Sequence, residues 1–264
     1  MAKSISIVIP AHNEERFIAA CLDAIAAQTE QPDEVIVVDN GCTDDTIAIA
    51  SRYSFVRIIR EPRIGILHAR NAGFDAATCD IIGRIDADSI LPASWVAWVR
   101  RFYSHKVNAG KALTGGVYFY NLRLPRFNGW LQGLLAYRLN RFVVGHYLLL
   151  GSNMAMPRHF WGAVRDQVCP RTDLHEDLDL AMHLHDVGFK IHYQENLRVG
   201  VYLKRVFHDR NQLRKHLRRW PLTLKAHHYD RAWFGNMGNV FLWIFAHPSI
   251  VQVFRKPTRF DPPG

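Results

Sequence analysis

Short apolar runs alternate along this chain with stretches whose apolar residues recur every three or four positions. Ser4 to Pro10 (Ser-Ile-Ser-Ile-Val-Ile-Pro) is a β-branched run of the kind buried on both faces of a sheet. It stops at Pro10, and Phe17, Ile18, Cys21, Leu22 and Ile25 then share one helical face, with Asn13 as the candidate cap and Pro32 as the stop. Glu34 to Asp39 is a second buried strand, closing on an acid ahead of Asn40-Gly41. Thr43-Asp44-Asp45-Thr46 caps the next helix, which turns Ile47, Ala50 and Tyr53 inward. Val56 to Ile59 reads as a third strand, followed by a helix carrying His68 to Gly73 and a fourth strand, Ile81 to Asp86. Such alternation predicts a parallel sheet with right-handed crossovers and ligand sites at the carboxyl ends of its strands. Pro10 to Glu14, Asp39 and Asp86 to Asp88 all fall on that one edge.

The second half is less regular. After Pro92, Trp95, Trp98, Val99 and Phe102 mark a helix running to His105, and Ala112 to Tyr120 reads as a strand. Trp130 to Phe142 has helical spacing, and a leucine-rich stretch from Tyr147 leads to Met156. Leu174-His175-Glu176-Asp177-Leu178-Asp179-Leu180 opens a helix that stops at Gly188, with Lys190 to Tyr193 and Leu197 to Tyr202 as two closing strands. A basic helix, Arg210 to Arg219, follows. Trp233 to Phe254 has no Lys, Arg, Asp or Glu but is interrupted by Gly235, Asn236, Gly238, Asn239 and Pro248. It makes a poor membrane span and reads better as an interfacial segment, or as a helix docked on the core. The proline-rich tail after Arg255 reads as loosely ordered. The organisation expected is a catalytic unit over residues 1–220, with halves 1–105 and 106–220, and a helical extension over 221–264.

Composition changes this picture in two respects. The 33 basic residues against 24 acidic ones, net +9, call for an anionic partner: nucleic acid, a phospholipid surface or a phosphorylated substrate. The four cysteines, Cys21, Cys42, Cys79 and Cys169, form no Cys-x-x-Cys pair, which argues against a zinc site and fits a reducing compartment. With no signal-peptide pattern at the N-terminus, the expected location is cytoplasmic, peripheral on the inner face of the cell membrane.

Two acidic clusters carry the candidate chemistry. Asp86 and Asp88, two apart at a strand end, point to one face and supply hard oxygen ligands suited to Mg²⁺ or Mn²⁺ with substrate phosphates. The alternative for such a pair is a strand end with two solvated acids. Glu176, Asp177 and Asp179 lie in a first helical turn, where the helix dipole favours acids. A carboxylate there, facing a cleft, is equally well placed as a general base. The first strand is not followed by Gly-x-Gly-x-x-Gly, and no Gly-x-x-x-x-Gly-Lys loop occurs, so a dinucleotide site or a phosphate loop is not indicated.

Together these pieces resemble the family-2 glycosyltransferases. Ile7 to Glu15, Val37 to Thr46, Ala69 to Gly73, Asp86-Ala87-Asp88, Gly151-Ser152-Asn153 and Glu176 to Leu180 follow the family's order and approximate spacing, over about residues 4 to 210. The resemblance implies an α/β GT-A fold, a Rossmann-like, mostly parallel central sheet flanked by helices, with a helical C-terminal extension. It implies that Pro10, Ala11, His12, Glu14 and Asp39 hold the base and ribose of a nucleotide-diphosphate sugar, expected to be UDP-linked. Arg70, Asp86 and Ala87 would face the same nucleotide, and Asp88, with Asp86 and His208, would hold Mn²⁺ or Mg²⁺. Asp177, with Glu176 beside it, would be the base of an inverting transfer to a hydroxyl. Processive members carry Gln-x-x-Arg-Trp; here His216-Leu217-Arg218-Arg219-Trp220 replaces the glutamine, so transfer of one sugar is expected. The basic surface and aromatic C-terminal stretch suggest a glycan or polyprenyl- or lipid-linked acceptor at a membrane surface, and no nucleic acid. Sugar-phosphate nucleotidyl transfer and nucleic-acid binding are the competing readings, the second without a recognised reading motif.

Overall fold

The computed structural model describes residues 2–124, 127, 129–130, 133–203, 210–229, 256 and 258–260. The first half alternates as its pattern predicts: β1 (Ile5–Ala11), α1 (Ile18–Ala26), β2 (Glu34–Asp39), α2 (Thr46–Ala50), β3 (Val56–Arg60), α3 (Ile66–Ala76), β4 (Ile81–Arg84). The short β5 (Ser89–Ile90), α4 (Trp95–Ser104) and β6 (Lys111–Phe119) come next. A helical stretch from Gly133 runs into α5 (Asn140–Val144), and β7 (Met154–Pro157), α6 (Arg158–Val164), α7 (Glu176–Asp186), β8 (Lys190–Val201) and α8 (Arg210–Ala226) follow.

Eight strands make one sheet in the order β3-β2-β1-β4-β7-β6-β8-β5. Strands β1 to β4 pair in parallel, as expected. Beyond β4 the sheet is mixed: β7 runs antiparallel to β4 and β6, β8 runs parallel to β6, and β5 runs antiparallel to β8. The α/β fold stands, with a sheet wholly parallel in the first half and mixed in the second. The two closing strands expected at 190–193 and 197–202 are one strand, β8, whose register against β6 shifts between Gly115 and Val117.

Alternate residues of β1 divide the core between two faces, as the period of two requires. Ile5, Ile7 and Ile9 pack with Ile18, Leu22, Trp95 and Val99 on one side. Val8 packs with Ile36, Val38, Phe74, Phe160 and Leu180 on the other. Trp95 comes so close to β4 that a Cβ on Gly83 would lie 2.8 Å from its ring. Its indole N–H donates to Asn153 Oδ1 at 2.9 Å, and Asn153 Nδ2 donates to the carbonyls of Gly116 and Leu197. The Gly-Ser-Asn segment is thereby a framework element that ties β6 and β8 to α4.

Three local expectations change. Asn13 does not cap α1, which begins after Phe17. With φ of 56° its side chain instead accepts the Thr43 N–H at 2.8 Å, joining the loops after β1 and β2. The fourth strand stops at Arg84, two residues early, because the chain leaves the ladder to reach the cleft. The described tail residues are docked: Phe260 packs against Phe17 and Tyr120, 5.5 and 5.8 Å between ring centroids, and Arg16 donates to its carbonyl. Among the described residues no helix is long and apolar enough to cross a membrane. The stretch 233–254 lies outside them.

Candidate active site

The carboxyl edge of the parallel strands opens into a cleft of about 410 Å³ lined by Pro10, Ala11, His12, Glu14, Asn40, Ile64, Gly65, Ile66, Ala69, Asp86 and Ala87. Six of the residues expected to meet a nucleotide therefore share one wall. The opposite wall is the loop before α3, whose shape comes from Asn40. Its buried amide donates to the carbonyls of Glu61 and Arg63 at 3.0 and 2.8 Å, and its oxygen accepts the Gly65 N–H at 2.7 Å. The carbonyl of Asn40 in turn lies 2.7 Å from His12 Nδ1. Asp39 lies outside the lining and accepts the Cys42 N–H at 2.9 Å, which fixes the turn after β2.

Asp86 is one-third exposed in the cleft, whereas Asp88, two residues on, is 4% exposed. Asp86 lines the cleft, while Asp88 lies outside the lining, buried just behind it. Two carboxylates are hard oxygen donors of the kind that fit a small divalent cation retaining water and phosphate ligands. His208, the third expected ligand, lies outside the described residues.

Behind the cleft lies a buried ionic cluster centred on Arg84, which is 2% exposed. Its guanidinium contacts Asp86 at 3.1 Å, Glu176 at 2.9 Å and Asp177 closer still. Burial works against its charge, but Asp177, Glu176 and Asp86 outweigh that and keep it protonated. Arg70, expected to face the nucleotide, is completely buried and turned the other way. It donates to the carbonyl and carboxylate of Glu176 at 2.6 and 3.0 Å and to Asn71 at 2.8 Å. Helix α7 presents its N-terminus to both arginines, so its first acids are matched by cations as well as by the helix dipole.

Glu176 and Asp177 differ within this cluster. Burial raises Glu176, against the pull of Arg84. Burial acts in the same direction on Asp177, but Arg84, a hydrogen bond from Glu176 and the Gly151 N–H hold it below the usual carboxylate range. Burial thus pushes Glu176 up while Arg84 and the Gly151 N–H hold Asp177 down, so Asp177 is the stronger acid of the two. Asp177 is also the more open, 21% against 10% exposed. Gly151 donates to its Oδ2 at 2.7 Å, and a Cβ at that position would lie 1.9 Å from Arg84 Nη1, so only glycine leaves the guanidinium its space.

Arg84, Asn40, Gly65 and Gly151 are absent from the set expected from sequence. Arg84 had a signal: a cation closing a strand of otherwise apolar, fully buried residues must meet acids somewhere. Gly65 and Gly151 act through their backbone N–H groups, and the Asn40 side chain acts on a loop more than twenty residues away, so none left such a mark.

A second hollow of about 330 Å³ is lined by Thr172, Asp173, Lys215, Arg218, Arg219 and Leu222, giving it three cations against one acid. Thr172 reaches the rim of the first cleft, since a Cβ on Gly65 would lie 3.9 Å from its methyl group.

Residues 6–142 match the sequence model of the family described as Glycosyl transferase family 2. The Bacillus subtilis glycosyltransferase EpsJ is 34% identical over 98 residues, 36% of this chain and 28% of that protein. The matched stretch thus spans under a third of that relative's length. Among solved structures, the mannosyltransferase PcManGT from Pyrobaculum calidifontis, in complex with GDP-Man and Mn²⁺, superposes with a TM-score of 0.64 at 18% identity, covering 93% of this chain and 76% of that one. S. aureus TarS 1-349 in complex with UDP-GlcNAc gives a TM-score of 0.64 at 16% identity, covering 95% and 74%. These structures share the GT-A arrangement of a curled, mixed sheet flanked by helices.

Proposed function

The chain belongs to glycosyl transferase family 2, and from that premise we propose that it moves one sugar from a nucleotide-diphosphate sugar to a hydroxyl, with Asp177 as the base. The observation that carries this reading is the bridge made by Arg84. One guanidinium holds both Asp86, on the cleft wall, and Asp177, at the start of α7, so the Asp177 carboxyl stands beside the cleft.

In the proposed reaction the acceptor O–H gives its proton to Asp177 and its oxygen bonds to the anomeric carbon. The bond from that carbon to the diphosphate breaks, and the diphosphate leaves with the electron pair. One base acting opposite the leaving group gives inversion. Arg84 holds Asp177 and Glu176 side by side, and Arg70 fixes Glu176 from behind. A divalent cation held by Asp86 and Asp88 would supply charge neutralisation for the departing diphosphate. The Mn²⁺ bound in the Pyrobaculum enzyme supports a metal of this kind.

The hollow carrying Lys215, Arg218 and Arg219 supports an acceptor with a phosphate or other acidic group, such as a lipid-linked glycan at a membrane surface. Family membership displaces both nucleotidyl transfer and nucleic-acid binding. The test is a thermal-shift and calorimetry panel of UDP, GDP and their sugars with and without Mn²⁺, because a ligand bound only by the folded state raises the melting temperature. A manganese-dependent shift that disappears in Asp88→Ala supports the donor site and names the nucleotide. Unchanged nucleotide affinity in Asp88→Ala removes Asp88 from the metal site, and no shift with any nucleotide overturns the donor reading.

A further inference from the structure

Across α7 from the candidate base, four residues distant in sequence bring different donor atoms together. Cys169 follows α6, Asp179 and His183 lie one turn apart on α7, and His227 sits in the turn just after α8. One ligand atom from each of the four falls within 4.8 Å of all the others. His227 Nε2 is 2.9 Å and His183 Nε2 3.5 Å from Asp179 Oδ1, and Cys169 Sγ is 3.9 Å from His183 Nε2. Bonds of about 2.0–2.3 Å to a tetrahedral zinc imply ligand separations of roughly 3.3–3.8 Å, so small side-chain shifts complete the site. We propose that Cys169, Asp179, His183 and His227 form a closed structural site for Zn²⁺, separate from the donor cleft.

The donor set argues for the metal. One thiolate, two imidazoles and one carboxylate suit zinc, whereas magnesium, manganese and calcium prefer oxygen alone. Three of the ligands are largely enclosed, the side chains of Asp179, His227 and His183 being 2%, 7% and 15% exposed, and Cys169 closes the partly exposed side. Asp179 Oδ2 accepts the Cys169 N–H at 3.0 Å, which leaves Oδ1 for the ion and aims the loop that brings in the sulfur. The rings of His183 and His227 meet edge to face, 4.8 Å apart, so both nitrogens converge without stacking.

The site has a structural use. Helix α8 docks on α7 through a small apolar cluster, Leu178, Met182 and Leu224 with Val144 and Leu148. His227 would add a metal bond at the far end of that helix, and Asp179 shares a helical turn with Glu176 and Asp177. Zinc would clamp the C-terminal part of the chain to the helix that carries the candidate base. Spacing along the sequence hides this site, because it contains one cysteine and its last ligand arrives only after α8.

The test uses the full chain, stripped with chelator and titrated with Co²⁺ as a spectroscopic stand-in for zinc. The expected result is one equivalent showing the strong visible bands of a four-coordinate ion and a near-ultraviolet thiolate-to-cobalt band, both displaced by Zn²⁺. Zn²⁺ should also raise the melting temperature of the stripped protein. Cys169→Ser should lose the thiolate band, His227→Ala should lose the bound ion, and Asp88→Ala should keep both. The wild-type spectrum decides even if a variant fails to fold. No thiolate band in the wild type, or a band that survives Cys169→Ser or vanishes in Asp88→Ala, overturns the proposal and leaves Asp179 as a hydrogen-bond acceptor for two histidines. None of these outcomes depends on sugar transfer.

Discussion

The cleft wall made by the first half of the sheet and the acid pair at the start of α7 meet at one edge but are held by different physics. The wall is set by neutral hydrogen bonds between loops: Asn13 with Thr43 and Asn40 with the segment 61–65. Each bond is worth about 0.5–1.5 kcal/mol net, and losing one leaves the rest in place. The acid pair sits in a cluster in which Arg70, Arg84, Glu176 and Asp177 balance one another out of water. There the members depend on each other, since removing one partner strands a buried charge. Under the proposed roles, binding would degrade gradually and chemistry would fail at once.

That contrast can be broken at several points. Asp177→Asn keeps the shape but removes the charge, so turnover should fall about 10²–10⁴-fold while calorimetry shows donor binding retained. Undiminished turnover would remove Asp177 as the base. Arg84→Met should cost about 3–5 kcal/mol in urea unfolding, because three acids lose their cation. Combining it with Asp177→Asn, which leaves Glu176 to pair with Arg70, should restore part of the stability and none of the activity. If the single and double variants are equally unstable, the cluster is not mutually dependent. Gly151→Ala drives a methyl into Arg84 and should cost about 1–3 kcal/mol, with a larger loss in kcat than in nucleotide affinity. Asn40→Ala should have the smallest effect, about 1 kcal/mol in nucleotide affinity with kcat at saturation unchanged. A drop in kcat there would show that the wall and the base are coupled after all.

The sequence made the wall legible for a physical reason. Strands buried on both faces read as unbroken apolar runs, and polar residues at their ends mark the ligand edge, so Pro10 to Glu14 and Asp86 needed only local pattern. The mixed second half did not read as well. The place of β7 between β4 and β6 is set by pairing across the chain, and a four-residue strand, Met154–Pro157, carries little pattern of its own. Arg70 was legible as a functional position but not in its orientation, which depends on Glu176, more than a hundred residues away. The metal-binding potential of His227 stayed hidden for the same reason. The side chain of His208 and the stretch 233–254 lie outside the described residues, and the expectations made for them stand as proposals.

The place of β7 in the sheet also bears on how the chain is made. While the ribosome works from Arg84 toward Pro157, the four parallel strands already have their helices, but the outer edge of β4 has no neighbour. At about 5–20 residues per second, that row of unpaired amides and carbonyls waits several seconds for its partner. An open, apolar strand edge is a template for another chain. The nascent chain is thus most prone to aggregation after its parallel half has formed, and arrival of the Gly151–Pro157 segment both closes the edge and delivers the backbone amide that Asp177 accepts.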